Sequence, residues 1–494
     1  VDNHLTIQLS DYSMMAIACV PGIRNELSEY FSFFVPGYKF MSAYKSRIWD
    51  GKIRLFNNMT CEINTGLYHK VLEFAKDRAY TVEIKPSKYG IPGAKNKVEH
   101  QNLVKFIDSL ELPYEVKNYQ YEALCHGIEN KRCVLVSPTG SGKSLIIYTL
   151  MRWYLENHDK KVLVIVPTTN LVEQMRKDFC DYGFDKDEIH IIYSGKEKDT
   201  SERVVISTWQ SIHILSSKWF QEFGCIFGDE CHGFKAKSLS SIMNKATEAE
   251  YRFGATGTLD GTQTHKLVLE GLFGPVKKVT TTKKLQEENS LAQLKIELLI
   301  IEYPSLVRKE FGYKTYQEEM DFIVKHEGRN KFIQNLAISQ KGNTLVLFQY
   351  VEKHGHTLHT MIKNKCKETK NSSEVYYVHG ATGTSDRESI RAIVEKSNGA
   401  IIVASLGTFS TGINIKNLHN IIFASPSKSQ IRVLQSIGRG LRKSDDGSTT
   451  KLYDIADDLH WEDRKNFTLL HSVERVKIYK KEQFDYTMQK VKLK

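Results

Sequence analysis

The sequence predicts an α/β protein: two tandem doubly wound domains, preceded by a small α+β module and followed by a helical extension. Three observations carry this. The chain has 494 residues, too many for one ordinary core at about 100–200 residues per domain. From about residue 112 onward, short continuous apolar runs alternate with helical patterns, which is how parallel strands covered on both faces read. The same rhythm restarts near residue 295, so it marks two sheets.

Taken in order, residues 1–110 form the N-terminal module and its linker. Strand-like runs at His4–Leu9, Ile53–Phe56 and Thr81–Ile84 are mixed with helical patterns around Ile23–Phe33 and Thr65–Ala79, ahead of a Gly/Pro/Lys loop at Lys85–Lys97. Residues 111–290 place buried strands at Cys133–Val136, Val162–Val166, His190–Tyr193, Val204–Ile206, Cys225–Phe227 and Tyr251–Gly254. Residues 291–456 repeat the pattern at Leu298–Glu302, Thr344–Phe348, Val375–Val378, Ala400–Ala404 and Asn420–Ala424, with Ser305–Phe332 reading as an inserted helical hairpin. Residues 457–494 read as basic amphipathic helix, with Val473, Val476, Phe484, Met488 and Val491 on its apolar stripe and Arg475 among the cations around it.

Composition narrows the class. With 41% hydrophobic and 26% charged residues and only 10 prolines, wholesale disorder and fibrous architectures are excluded. No apolar run approaches the ~20 residues that cross a bilayer, and no charged-then-apolar leader opens the sequence, so a soluble, cytoplasmic protein without membrane contact is expected. The eight cysteines are scattered without a C-x-x-C pair and read as reduced core thiols. Lys and Arg outnumber Asp and Glu by 69 to 58, a +11 balance that attracts a polyanion such as nucleic acid.

Two motifs carry chemistry. Strand Cys133–Val136 runs into Ser137-Pro138-Thr139-Gly140-Ser141-Gly142-Lys143-Ser144 and then a helical pattern, the strand, phosphate loop, helix order of a Walker A motif. Thr139, Gly140, Ser141 and Gly142 supply backbone amides for phosphate oxygens, Lys143 reaches the β and γ phosphates of ATP, and Ser144 binds Mg²⁺. The motif's first glycine is Ser137 here. Strand Cys225–Phe227 ends in Gly228-Asp229-Glu230-Cys231-His232, where Asp229 is expected to hold Mg²⁺ and Glu230 to orient or deprotonate the attacking water.

Asp229-Glu230-Cys231-His232 is a DExH box, and residues 115–445 resemble the second helicase superfamily, whose two domains are RecA-like. Gln120 looks like that family's adenine-reading glutamine, and Val166-Pro167-Thr168-Thr169 resembles its motif Ia. Ser207-Thr208-Trp209-Gln210 looks like the next nucleic-acid-contacting motif and Gly254-Ala255-Thr256-Gly257-Thr258 like motif III. Leu345–Phe348 resembles motif IV, Ala404-Ser405 with Phe409–Asn414 motif V, and Gln435–Arg442 motif VI. The resemblance implies that Arg439 and Arg442 come from the second domain onto phosphates bound by the first, making closure and hydrolysis one event. It also implies phosphate-backbone grip by Thr168, Thr208 and Thr411, each of which is equally a candidate helix cap. Trp209 is a candidate for base stacking, with a core position the commoner fate of such a residue.

The flanks resemble a narrower group, the branch-migration DNA helicases of T-even phages. The matching stretches are Phe31–Phe56, Lys314–Glu319 and the basic C-terminal segment. That resemblance implies an ATP-dependent helicase acting on branched DNA. Its implied work is fork regression, Holliday-junction migration and R-loop removal in recombination, repair and replication. The implied partners are branched, duplex and single-stranded DNA, RNA–DNA hybrids and phage recombination proteins, in the host cytoplasm. From the residues alone, Lys39, Lys45, Arg47, Lys52 and Arg54 with Tyr38, Tyr44 and Trp49 make a basic patch interleaved with aromatics, suited to duplex backbone or an exposed base. Two rivals stay open: an RNA helicase of the same superfamily, and an ATP-gated clamp that binds nucleic acid without processive unwinding.

Overall fold

A computed structural model describes residues 3–35, 37–138, 140–193, 195–233, 236–257, 259, 263–288, 293–311, 314–408, 415, 417–426, 449–481 and 483–493. The chain divides into two compact units, one comprising Val1–Ser137 with Gly142–Val279 and the other Pro138–Ser141 with Thr280–Lys494.

Within the first unit, the N-terminal module is a five-stranded sheet in the spatial order Phe56–Asn57, Glu62–Asn64, Met14–Cys19, His4–Leu9, Thr81–Lys85. Only the His4–Leu9 and Thr81–Lys85 pair is parallel. Alternation along His4–Leu9 sends Leu5, Ile7 and Leu9 inward, where Leu27 of helix Pro21–Tyr30 and Val71 and Phe74 of helix Tyr68–Asp77 complete the core. The module is fused to its neighbour. Leu267 from the following domain lies in this core. A Cβ at Gly66 would stand 2.0 Å from the carbonyl oxygen of Glu270.

The following domain is a seven-stranded parallel sheet ordered Ile189–Ile192, Val204–Thr208, Lys161–Val166, Phe223–Asp229, Tyr251–Thr256, Arg132–Val136, Val276–Lys278. Every residue of Phe223–Asp229 and of Tyr251–Thr256 is buried, as strands covered on both faces require. Because Tyr251–Thr256 separates the Arg132–Val136 and Phe223–Asp229 strands, the phosphate loop and the acidic tip emerge at one edge of the sheet, two strands apart.

The second unit is also a seven-stranded parallel sheet, ordered Val375–Val378, Ile401–Ser405, Thr344–Phe348, Asn420–Phe423, Thr450–Asp458, Leu294–Glu302, Asp485–Lys492. Two expectations are corrected here. Ser305–Phe332 is helical as read but does not stand apart as an insertion: its helix Tyr316–Lys325 buries Met320, Ile323 and Val324, and Ile323 belongs to the core of the sheet. The C-terminal segment is not helix throughout, since helix Phe467–Lys481 is followed by strand Asp485–Lys492, paired in register with Leu294–Glu302. The apolar stripe read there does not exist as such, because Val473 and Met488 are exposed.

Buried ion pairs hold that segment in place. Arg475, read as a solvated cation, is buried against Asp454, with Nε 2.9 Å from Oδ2 and Nη2 2.8 Å from Oδ1. Tyr479 donates to the same carboxylate at 2.9 Å. Arg329 and Tyr303 bind Asp457 in the same manner, at 2.7 and 2.9 Å. The buried Glu319 carboxylate accepts from Asn466 Nδ2, the Phe467 amide and the Thr468 amide and hydroxyl at 2.6–2.9 Å, capping the first turn of the C-terminal helix.

Candidate active site

The loop after strand Arg132–Val136 turns twice through left-handed backbone, at Gly140 (φ 84) and Gly142 (φ 77), before helix Lys143–Asn157 begins. Only glycine adopts such angles freely, and at Gly142 there is no room for more: a Cβ would stand 2.4 Å from Nε2 of the buried Gln120. Gln120 is itself fixed by accepting the Lys117 amide at 2.9 Å. Ser141 Oγ donates to the Pro138 carbonyl at 2.6 Å, closing the turn.

Lys143 Nζ lies 2.9 Å from Glu230 Oε1, so the phosphate-loop cation and the acidic tip meet directly. Glu230 has φ 48, a left-handed position that costs a non-glycine residue about 1–3 kcal/mol and is characteristic of functional turns. Behind it, His232 Nδ1 lies 3.3 Å from Glu230 Oε2 and 2.6 Å from Thr256 Oγ1, linking the DExH box to the strand between the two motifs. Burial, reinforced by the Glu230 charge and opposed by Lys143, pushes the Asp229 carboxyl up to about 7. Its buried Oδ1 has no hydrogen-bond partner among the described residues. A desolvated carboxylate oxygen without a donor is a hard-oxygen ligand of the kind Mg²⁺ takes, and the Ser144 hydroxyl in the first turn of helix Lys143–Asn157 is a second oxygen of that kind.

Ser144 Oγ lies 2.9 Å from the Tyr182 hydroxyl. No spacing rule or motif singles out Tyr182, so sequence reasoning missed it. It follows the last residue of helix Thr169–Asp181, whose N-cap is Thr168. The Thr168 side chain makes no cap bond, and its Oγ1 is buried without a partner among the described residues. Thr208 is buried and shares a 2.9 Å hydrogen bond with Ser211 Oγ. Trp209 is half-buried and packs against the domain core.

Among the predicted basic-patch residues, Arg54 is committed to Asp50 through two hydrogen bonds and Lys52 lies over the Phe34 ring at 5.0 Å, whereas Lys45 and Arg47 are exposed. Thr139, Thr258, Thr411, Arg439 and Arg442 lie outside the described residues, as do Phe409–Asn414 and Gln435–Arg442 as a whole. Sequence reasoning also missed Arg252, fully buried on the strand that leads to Thr256. It donates to the Met243, Ala246 and Ala249 carbonyls and, at 2.6 Å, to Ser13 Oγ of the N-terminal module.

A phosphate loop facing an acidic strand tip across a parallel sheet, in a chain that carries a second such sheet, defines the class: an ATP-hydrolysing protein of helicase type. Comparison with known proteins gives the particular family. Residues 4–85 match the family described as "DNA helicase UvsW, N-terminal", residues 107–261 "Type III restriction enzyme, res subunit", and residues 328–444 "Helicase conserved C-terminal domain". The ATP-dependent DNA helicase uvsW of Enterobacteria phage T4 is 35% identical, over 99% of this chain and 100% of its own. The crystal structure of T4 UvsW superposes over 99% of this chain and 100% of that one, with a TM-score of 0.52 and 33% identity. A DNA 3'-5' translocase, XPB2 of Sulfurisphaera tokodaii, is 22% identical over 69% of this chain and 82% of its own. The chain belongs to the UvsW family of superfamily 2 helicases.

Proposed function

We propose that this chain is an ATP-dependent DNA helicase that remodels branched DNA, regressing forks, migrating four-way junctions and removing R-loops. The observation that carries the reading is the Lys143–Glu230 contact beside the unpartnered Asp229 oxygen, in a chain similar over its whole length to a DNA helicase of phage T4. ATP phosphates are held by the backbone amides around Gly140–Gly142 and by Lys143, which exchanges Glu230 for phosphate oxygen. Ser144 and Asp229 would hold Mg²⁺, and the ion would supply positive charge toward the phosphates. Glu230, released from Lys143, orients the attacking water and accepts its proton. Gln120 selects adenine, while Arg439 and Arg442 supply the charge that stabilises the transition state.

Strand grip is assigned to Thr168, Thr208, Trp209 and Thr411, and duplex or branch contact to the N-terminal module. The domain boundaries that go with this reading are 1–110, 111–290 and 291–456, with residues 457–494 completing the second sheet instead of standing apart as a helical extension. No helix among the described residues is long and apolar enough to cross a membrane, in keeping with work on DNA in a host cytoplasm alongside phage recombination proteins.

The decisive experiment compares dissociation of a synthetic four-way DNA junction, a plain DNA duplex and an RNA duplex, with and without ATP. ATP-dependent dissociation of the junction in preference to the others is expected. Preference for the RNA duplex favours an RNA helicase, and ATP turnover without strand exchange favours a clamp.

A further inference from the structure

Between the paired strands Ser32–Phe34 and Lys52–Arg54 the N-terminal module carries a 3₁₀ turn, Tyr38–Phe40, and a one-turn helix, Ser42–Lys45. A segment this short has little core to bury, and aromatic contacts hold it instead. Tyr38 stacks on Phe34 with ring centroids 4.6 Å apart and meets Tyr44 edge-on at 4.8 Å. Gly51 lies so close beneath Tyr38 that a Cβ would stand 2.3 Å from its ring. Trp49 Nε1 donates to the Lys52 carbonyl at 2.8 Å.

Against this aromatic scaffold opens a cavity of about 740 Å³, lined by Lys39, Tyr44, Lys45, Arg47, Ile48 and Trp49 together with the Asp50–Arg54 pair. Its size falls within the range of about 300–1,000 Å³ typical of small-ligand sites.

The chemistry of the lining selects an occupant. The one carboxylate present, Asp50, is spoken for: its hydrogen bonds from Arg54 and from the Lys52 amide hold its pKa down at about 2. Among the described residues Lys39, Lys45 and Arg47 have no ion-pair partner, so the cavity is net cationic and complementary to phosphate. Arg47 is held at φ 59, a left-handed position that L side chains rarely adopt. Ile48 is 83% exposed and Phe40, next to Lys39, 82% exposed, an arrangement that does nothing for the isolated module. A paired base offers only its edge to a protein, because its faces are covered by the bases stacked on it. An apolar wall beside cations therefore matches a base whose face is free.

We propose that this cavity binds one unpaired nucleotide of a DNA strand, with the base against Ile48 and Tyr44 and the flanking phosphates on Lys39, Lys45 and Arg47. Lys52 and Arg54, predicted as contacts from the sequence, are already engaged within the module, with Phe34 and Asp50. The inference rests on the branched-DNA reading, since unpaired nucleotides arise at a branch point, and it names what the module recognises there.

The test uses the full chain without nucleotide and two fluorescent DNAs, a perfect duplex and the same duplex with a single-nucleotide bulge carrying 2-aminopurine. Ile48→Ala removes apolar contact without changing charge, and so exposed a position does not hold the fold. It should weaken binding of the bulged duplex about fivefold, reduce the 2-aminopurine response, and leave the perfect duplex unchanged. Lys45→Ala should lower the slope of log affinity against log salt by about 0.7–0.9 for the bulged duplex. Equal weakening of both DNAs by Ile48→Ala, or weakening of neither, overturns the proposal. Junction dissociation by the unaltered protein, run in parallel, separates the two readings: its absence refutes the helicase activity, while the bulge preference stands or falls on its own.

Discussion

Tyr182 Oη lies 2.9 Å from Ser144 Oγ although 38 residues separate them, so the proposed Mg²⁺-binding serine is partnered by a residue of no helicase motif. Burial raises the Tyr182 pKa, which keeps it a neutral hydroxyl at physiological pH. Either hydroxyl can donate in this contact, and when Ser144 donates, its lone pairs stay open to a cation. Tyr182 also follows the helix that Thr168 precedes as N-cap, so one rigid element joins a proposed strand contact to the proposed metal site.

Tyr182→Phe removes only the hydroxyl and keeps the ring against Tyr148 and Tyr114. Loss of one neutral hydrogen bond, about 0.5–1.5 kcal/mol, should raise the Mg²⁺ concentration for half-maximal ATPase two- to tenfold. The thermal midpoint should hardly move. Magnesium titrations at saturating ATP, with calorimetry of the same preparations, check both; an unchanged Mg²⁺ requirement removes Tyr182 from the site.

Lys143→Ala should lower DNA-stimulated ATP hydrolysis by about 10²-fold or more, since it deletes the positive charge aimed at the phosphates. Glu230→Gln keeps the shape of the site and should retain nucleotide binding while losing turnover. Nucleotide affinity by fluorescence and steady-state hydrolysis distinguish the two, and parental turnover in either variant refutes the assignment.

Asp229 gives a pH-dependent stability. Its folded-state pKa is raised to about 7 from an ordinary 3.8, so ionising it destabilises the nucleotide-free protein. The cost begins as pH rises past the unfolded value and is complete above the folded one. Asp229→Asn should therefore raise the thermal midpoint at pH 8 and change it little at pH 4. A larger gain at the acid end contradicts the assignment.

Asp454→Ala should destabilise the unit that contains it by about 3–5 kcal/mol, because Arg475 is left charged, buried and unpaired. Asp454→Leu combined with Arg475→Met should recover much of the loss, as it removes both charges. Thermal denaturation of the full chain reads both variants. If the single variant melts with the parent, the pair does not hold the C-terminal segment.

The strands of both parallel sheets were legible wherever burial on two faces made them continuously apolar, as in Val162–Val166 and Thr344–Phe348. Asp485–Lys492 was not, because it is an edge strand whose alternating charges fit an exposed helix as well as a strand. Arg475 misled for a related reason. A basic residue in a lysine-rich helix reads as solvated until a partner carboxylate is known, and Asp454 lies on another strand.

The sequence by itself determined the chemistry of the nucleotide site, because a phosphate loop and an acidic strand tip are local patterns of glycine, lysine and carboxylate whose order along the chain implies the sheet that unites them. Tertiary structure decided what depends on meetings between distant residues. Tyr182 reaches Ser144, Arg252 clasps Ser13, and of the cations lining the cavity Arg54 is paired with Asp50 while Lys45 and Arg47 are not. A side chain's charge and hydrogen-bonding capacity are written in its identity. Whether a neighbour has already satisfied them is set by packing, and that governs which residues are left to act on a ligand.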